Sequence, residues 1–209
     1  MTNDSAMMRE DIVFGPIHSR RLGSSLGINL LPRHGKLCNF DCIGEPTLNP
    51  DFPLIVDITL ALRDEYFPKA AVSVLSNATR VGRREVFEAL RKVDNPILKL
   101  DAPTDALAAK INKPYPGYHV RQTVEELKKF EGNFVLQTMF LAGGGFDSSS
   151  PEVLDGWMDI VRELRPREVM VYTIDRETPA EGLLKATHGQ LDGIKARVEA
   201  LGIECQASY

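Results

Sequence analysis

The chain is short of several things. It has three cysteines in 209 residues, too few for a disulfide framework in a chain of this size. No apolar run approaches the ~20 residues of a membrane span. Residues 1–11 are polar, without the apolar core of a signal peptide, and read as a frayed terminus. The expected location is therefore the cytoplasm. There is no basic excess: 25 Lys and Arg stand against 29 Asp and Glu, for a net charge of −4. That balance excludes broad nonspecific attraction to nucleic acid and leaves only a local basic patch open. Repeats, linkers and low-complexity segments are missing too. What is present, 43% hydrophobic and 26% charged residues, is ordinary for a globular protein. Residues 12–209 are expected to form a single domain.

The pattern along the chain alternates. Ile12 to Pro16 and Ser25 to Pro32 read as short strands around the polar turn Ser19–Gly23. Helices are expected over Leu54–Tyr66, Arg83–Val93, Val120–Phe130, Pro151–Leu164 and Leu191–Leu201, with apolar residues on one face of each. Short apolar strands are expected at Ala71–Leu75, Ile97–Leu100, Phe134–Leu141, Glu168–Ile174 and Ile203–Ser208. Strands alternating with amphipathic helices predict an α/β fold with a mainly parallel sheet. Polar residues gather just past the strands: Ser76-Asn77, Asp101 and Asp175-Arg176. The carboxyl ends of parallel strands are where such folds bind ligands.

Two of the cysteines, Cys38 and Cys42, are separated by three residues in one loop. Thiolates so placed suit an iron–sulfur cluster. By spacing alone they are equally well ordinary small loop residues, and a zinc site would want two more ligands, for which only His34 is near. Gly44-Glu45-Pro46 before a helix can present carbonyls and a carboxylate to an ammonium group, or be a plain turn. Leu141–Gly145 lacks the lysine and hydroxyl of a phosphate loop and is expected to be a flexible strand-to-helix loop. Cys205, on the last strand, is expected to be a buried core thiol.

Taken together, the segments Phe14–Gly23, Ser25–Pro32 and Lys36–Cys42 resemble the opening of radical S-adenosylmethionine (radical SAM) proteins. The resemblance is to the Fe–S oxidoreductase group similar to the wybutosine-synthesis type. Gly44–Phe52, Lys99–Asp101, Tyr172–Arg176 and Thr178–Leu183 extend it over most of the chain. It implies a partial (β/α)6 barrel with a [4Fe-4S] cluster on an early loop. It also implies reductive cleavage of S-adenosylmethionine to a 5′-deoxyadenosyl radical, with an electron donor such as flavodoxin or ferredoxin and an unknown substrate. Carried over by resemblance, Cys38 and Cys42 are cluster ligands and Phe40 packs beside the adenine. Gly44, Glu45 and Pro46 hold the methionine amino group. Ser76, Asn77 and Asp101 serve the ribose or carboxylate, and Gln137 and Thr173 are inner-strand contacts. Arg20 and Arg21 meet an anionic group or form a solvated pair.

The chain departs from this pattern in one place. The family's third cluster cysteine follows the second after two residues, and here that position is Glu45. Ile43 is followed at once by Gly44, where a helix and a strand are expected; a βαβ unit needs ~30 residues or more. Either a segment has been lost from the sequence at this junction, which is the expectation, or the deletion is genuine and leaves an unpaired strand edge. A carboxylate is a poor replacement for a thiolate on such a cluster. The alternative function is a non-catalytic binding protein with a degenerate barrel.

Overall fold

The structure, a computed structural model, describes residues 13–19, 22–28, 45–175 and 182–209. Residues 1–11 and the Ile43–Gly44 junction lie outside these. An antiparallel hairpin comes first, β1 (Val13–Ser19) and β2 (Gly23–Ile28), with Ser19 opposite Gly23. A single 3₁₀ turn at Pro46–Leu48 leads into α1 (Phe52–Tyr66), which has Pro53 in its first turn. The chain then runs through β3 (Ser73–Ser76), α2 (Arg84–Leu90) and β4 (Asn95–Lys99). Next come α3 (Asp105–Ile111), α4 (Val120–Lys128) and β5 (Val135–Met139). After β6 (Leu141–Gly143) and β7 (Phe146–Asp147) come α5 (Pro151–Leu164) and β8 (Glu168–Tyr172). The last elements are β9 (Leu184–Lys185), α6 (His188–Glu199) and β10 (Glu204–Ser208).

The main sheet has five parallel strands in the order β3-β4-β5-β8-β10. Each long connection adds the next strand on the same side of the last one. Because such crossovers are right-handed, their helices all fall on one face of the sheet. Side chains alternate between the faces along each strand, and the packing follows that alternation. Leu98, Leu136, Val169 and Val171 join Leu90, Val124, Leu127, Trp157, Val161 and Leu191 of the helices in the large core. On the other face Ile97, Val135 and Met170 form a separate small cluster, covered by Leu22 beside the hairpin.

Local chemistry explains the boundaries. In α5, Leu154, Trp157, Met158, Val161 and Leu164 recur at helical spacing and are buried, and Arg165 ends the helix in a left-handed conformation (φ 47°). The Trp157 indole donates to the Thr138 hydroxyl at 3.1 Å and stacks edge-on to Phe140 at 5.3 Å. Helix α6 starts earlier than its apolar pattern predicts. Thr187 and Gln190 form a capping box that adds the turn before Leu191. Helix α3 was not expected; Thr104 caps it by accepting from the Leu107 N–H at 3.3 Å, and it buries Leu107, Ala108 and Ile111.

The glycine run corrects the sequence reading. Gly143–Gly145 is no flexible strand-to-helix loop. Gly143 pairs with Phe146, so Gly144 and Gly145 (φ 56° and 78°) are the two central residues of a tight hairpin between β6 and β7. Both conformations are left-handed, as a type I′ turn requires. β9 pairs with β6 to complete a small three-stranded sheet.

On the surface, Arg121 and Lys128 of α4 both bridge to Glu163 of α5, and both also pair with Glu125. The two cations pull the Glu163 carboxyl down to about 2, chiefly through its hydrogen bonds to Arg121 and then Lys128. A depressed folded-state value gives stability that is complete above the ordinary carboxyl range near ~4.3 and is lost as pH falls towards 2. Glu163→Gln is therefore expected to lower the urea midpoint at pH 7 slightly, with the difference from wild type shrinking between pH 4.5 and 2. Urea titrations across that range measure it, and a difference that does not change with pH would contradict the ion-pair origin.

Candidate functional site

The polar residues collected past the strands fall into two connected groups at the carboxyl end of the sheet. The first is built around Glu45, which is buried with 2% of its surface exposed. Its Oε1 accepts from the Thr47 N–H at 3.1 Å, from the Thr47 hydroxyl, and from the Ser76 hydroxyl at 2.8 Å. Its Oε2 accepts from the Asn77 N–H at 2.6 Å. One carboxylate thus caps the 3₁₀ turn ahead of α1 and ties that turn to the end of β3. Ser76 in turn accepts from the Ala78 N–H at 3.1 Å, and the Asn77 side chain accepts from the N–H and hydroxyl of Thr79. Those bonds hold Ala78 in a left-handed turn (φ 60°).

The second group spans β4, β5 and β8. Lys99 and Asp101 lie two apart, on one face, with Nζ 3.5 Å from Oδ2. Both are buried. Asp101 Oδ1 accepts from the Met139 N–H at 2.9 Å, which continues the β4–β5 ladder beyond the end of β4. The Lys99 ammonium also lies 5.7 Å from the centre of the Tyr172 ring. Lys99 pairs in register with Gln137, and Gln137 with Met170. Gln137 therefore shares the face that the helices do not cover. It is only 2% exposed, and its Nε2 has no hydrogen-bond partner among the described residues. A buried amide donor left unpaired costs ~1–3 kcal/mol.

Thr173 has a different place. Its hydroxyl donates to the Phe140 carbonyl and accepts from the Ala186 N–H, both at 2.8 Å, so it fastens the start of β6 to the segment before α6. Cys38, Phe40, Cys42 and Gly44 lie outside the described residues, as do His34, Arg20 and Arg21. Cys205 is buried on the helix-packed side, paired in register with Val169, and burial pushes its thiol up to about 12. It is the core thiol the sequence led us to expect. Among the described residues no three His, Cys, Asp or Glu side chains converge as a metal site, and no helix is long and apolar enough to cross a membrane.

The structure thus gathers Glu45, Pro46, Ser76 and Asn77 at one strand end and Asp101 and Gln137 at its neighbours. Lys99, named from the sequence only as part of the Lys99–Asp101 segment and given no role of its own, is buried beside Asp101 and Gln137. Its signal was a lone charge inside the apolar run Ile97–Leu100.

No family model matches the chain. Among curated proteins it is similar to a UPF0026 protein of Methanocaldococcus jannaschii, at 24% identity, over 83% of this chain and 66% of that protein. It is also similar to a UPF0026 protein of Helicobacter pylori, at 23% identity, over 79% and 67%. The chain thus spans about two thirds of the length of these relatives. The first alignment runs over 225 residues, whereas 83% of 209 is about 173, so that relative carries about 50 residues within the matched span that have no counterpart here. The second, 214 against about 165 (79% of 209), gives about 49. Among solved structures, a radical SAM methyltransferase from Sphaerobacter thermophilus superposes with a TM-score of 0.61 at 16% identity, over 79% of this chain and 48% of that one. Streptococcus suis SuiB bound to S-adenosylmethionine superposes with a TM-score of 0.57 at 15% identity, over 79% and 36%. The fold is a mixed α/β one with a parallel sheet, similar to that of radical SAM proteins.

The Glu45 network makes a direct prediction. Glu45→Ala leaves the Ser76 hydroxyl and the N–H groups of Thr47 and Asn77 unpaired, so it should lower the unfolding free energy by about 2–4 kcal/mol. Glu45→Gln keeps an acceptor oxygen and should cost about half as much. Urea denaturation measures both, and an Ala variant within ~0.5 kcal/mol of wild type would rule out the clamp.

Proposed function

We propose that the chain is a radical SAM-type protein built on a partial barrel, with its site at the carboxyl ends of β3, β4, β5 and β8, on the face that no described helix covers. The observation that carries the reading is the orphaned Gln137 amide. It is a buried donor beside Lys99, in a fold shared with a structure that holds S-adenosylmethionine. The residues present fit the amino-acid part of that cofactor. Lys99, steadied by Asp101, supplies a cation for the carboxylate, and Gln137 supplies a donor. The Gly44–Pro46 turn supplies carbonyls for the amino group. Glu45 acts by position here: its carboxylate oxygens are occupied by Thr47, Ser76 and Asn77, so it holds the turn open and does not itself replace a cluster thiolate. Ser76 and Asn77 shape the same wall. Phe40 would cover the adenine, and Thr173 holds the segment before α6 against the rim.

Cys38 and Cys42 would be two ligands of a [4Fe-4S] cluster. Loaded, the cluster and S-adenosylmethionine would supply reductive sulfonium cleavage and a 5′-deoxyadenosyl radical, with an electron from a flavodoxin- or ferredoxin-like donor. The other reading, a binding protein that kept the barrel without the cluster, is favoured by one observation: the residue at the third ligand position, Glu45, is fully engaged elsewhere. Anaerobic reconstitution separates the two. The enzyme reading expects a brown chromophore near 400 nm that Cys38→Ser or Cys42→Ser abolishes, and 5′-deoxyadenosine on reduction. Absence of both in the wild-type protein leaves the binding reading.

Gln137 is testable without the cluster. Gln137→Met removes an unpaired buried amide at nearly constant volume, so it should raise the unfolding free energy by about 1–2 kcal/mol while weakening S-adenosylmethionine binding at least ~10-fold. Calorimetry on the same samples gives the affinity. Stabilisation with unchanged affinity would leave Gln137 a purely structural residue.

A further inference from the structure

Besides Gln137, one other buried side-chain nitrogen has no hydrogen-bond partner among the described residues: Nε of Arg80. Three arginines among the described residues are half-buried. Arg63 and Arg197 are paired with Asp94 and Asp155, at 2.7 and 2.6 Å. Arg80 has no such carboxylate among the described residues. It has the Tyr115 ring, whose centre lies 5.9 Å from the guanidinium carbon. Taking a cation partly out of water without a counter-ion is costly. Tyr115 is 52% exposed, and a cation–π contact so open to water repays only part of that cost.

The backbone holds Arg80 firmly at this place. Its neighbours Ala78 and Val81 are buried. The Val81 N–H donates to the Ala78 carbonyl at 3.3 Å, and the Arg83 N–H to the Arg80 carbonyl at 3.0 Å. These turns continue directly from Asn77, which Glu45 anchors. The ring comes from elsewhere, the connection between α3 and α4. Asp105, at the start of α3, accepts from the Val120 N–H at 2.7 Å and pairs with His119 at 2.8 Å. The connection therefore returns to the carboxyl end of β4, from which α3 set out. There the Tyr115 hydroxyl lies 3.5 Å from the Thr79 carbonyl oxygen. Arg80 and Tyr115 thus meet on the rim of the site, at the carboxyl ends of β3 and β4.

We propose that Arg80, backed by Tyr115, is a specificity residue for an oxyanion, carboxylate or phosphate, carried by the substrate. A planar guanidinium matches either group with paired donors, and the ligand's charge neutralises the cation that the fold leaves unpaired. The ring fixes the guanidinium before the ligand arrives, so less side-chain freedom is lost on binding. The assignment to substrate rests on the cofactor reading above. That reading gives the carboxylate of S-adenosylmethionine to Lys99 on β4 and Gln137 on β5, and leaves Arg80, beyond the end of β3, to the second molecule.

Nuclear magnetic resonance of protein carrying isotope-labelled arginine reads Arg80 directly. The Nε–H signal that disappears in Arg80→Lys belongs to it. Sodium phosphate and, separately, sodium acetate are titrated at constant ionic strength. The Arg80 signal is expected to move and saturate below ~50 mM in at least one series, while those of the paired Arg63 and Arg197 stay. The two series tell a phosphate site from a carboxylate site. Followed through the Thr79 backbone amide, Arg80→Gln should weaken binding at least ~10-fold and Tyr115→Leu ~2–5-fold. The response should persist with S-adenosylmethionine at saturation. An Arg80 signal that moves in neither series would overturn the proposal, as would arginine signals that all drift together. Loss of the response on binding S-adenosylmethionine would overturn it too, by giving Arg80 to the cofactor. If S-adenosylmethionine does not bind, the cofactor reading fails by itself, and the two anion series still decide whether Arg80 takes an oxyanion. If Arg80→Lys does not fold, the nuclear Overhauser contact between the Nε–H and the Tyr115 ring assigns the signal.

Discussion

The sequential order of the parallel sheet is the constraint on which everything else rests. When every connection steps to the same side and is right-handed, all the helices fall on one face. That face closes into an apolar core through Leu98, Leu136, Val169 and Val171. No helix among the described residues covers the other face, and its lower part is filled by Ile97, Val135, Met170 and Leu22. At its upper part, towards the carboxyl ends, the side chains turn polar: Lys99, Asp101 and Gln137. A doubly wound order would have buried these residues under a second layer of helices and made them untenable.

Against that background, the buried polar groups divide by how well they are satisfied. Glu45, Thr138 and Thr173 each bridge two segments and have their partners in the chain itself. They are clamps, and their contribution is to fix where the turns and strand ends sit. Gln137 is buried to the same degree and has an amide without a partner among the described residues. Burial without satisfaction is costly, and the unpaired amide lies beside a buried lysine. The Glu45 carboxylate, by contrast, is spent on the backbone and side chains of the turn and strand end it ties together.

Much of the fold was legible in the sequence because burial and periodicity coincide there. The five parallel strands and the long helices α1, α4 and α5 follow from apolar spacing to within two residues at each end. The departures have specific causes. Helix α3 has seven residues, too few for periodicity to show, and it depends on the Thr104 cap. Helix α6 gains its first turn from the capping box at Thr187. The glycine run looked like a loop because glycine permits many conformations; that two of them are the left-handed pair of a hairpin is decided by the pairing of Gly143 with Phe146. Lys99 was given no role of its own because a lysine at the end of an apolar strand can be read as a strand-end charge.

The sequence alone determined the class of the fold, the position of polar residues at strand ends and the core character of Cys205, because these depend on local pattern and on the cost of burying polar groups. Only the tertiary structure decided that Glu45 reaches Ser76 and Asn77 across some thirty residues of chain, since hydrogen-bond partners so far apart are set by packing. It also decided that Gln137 is left without a partner among the described residues and that Leu54, Ile58 and Leu62 are not core. Helical spacing marks an apolar face in the sequence, but whether anything lies against that face is a property of the neighbours in space.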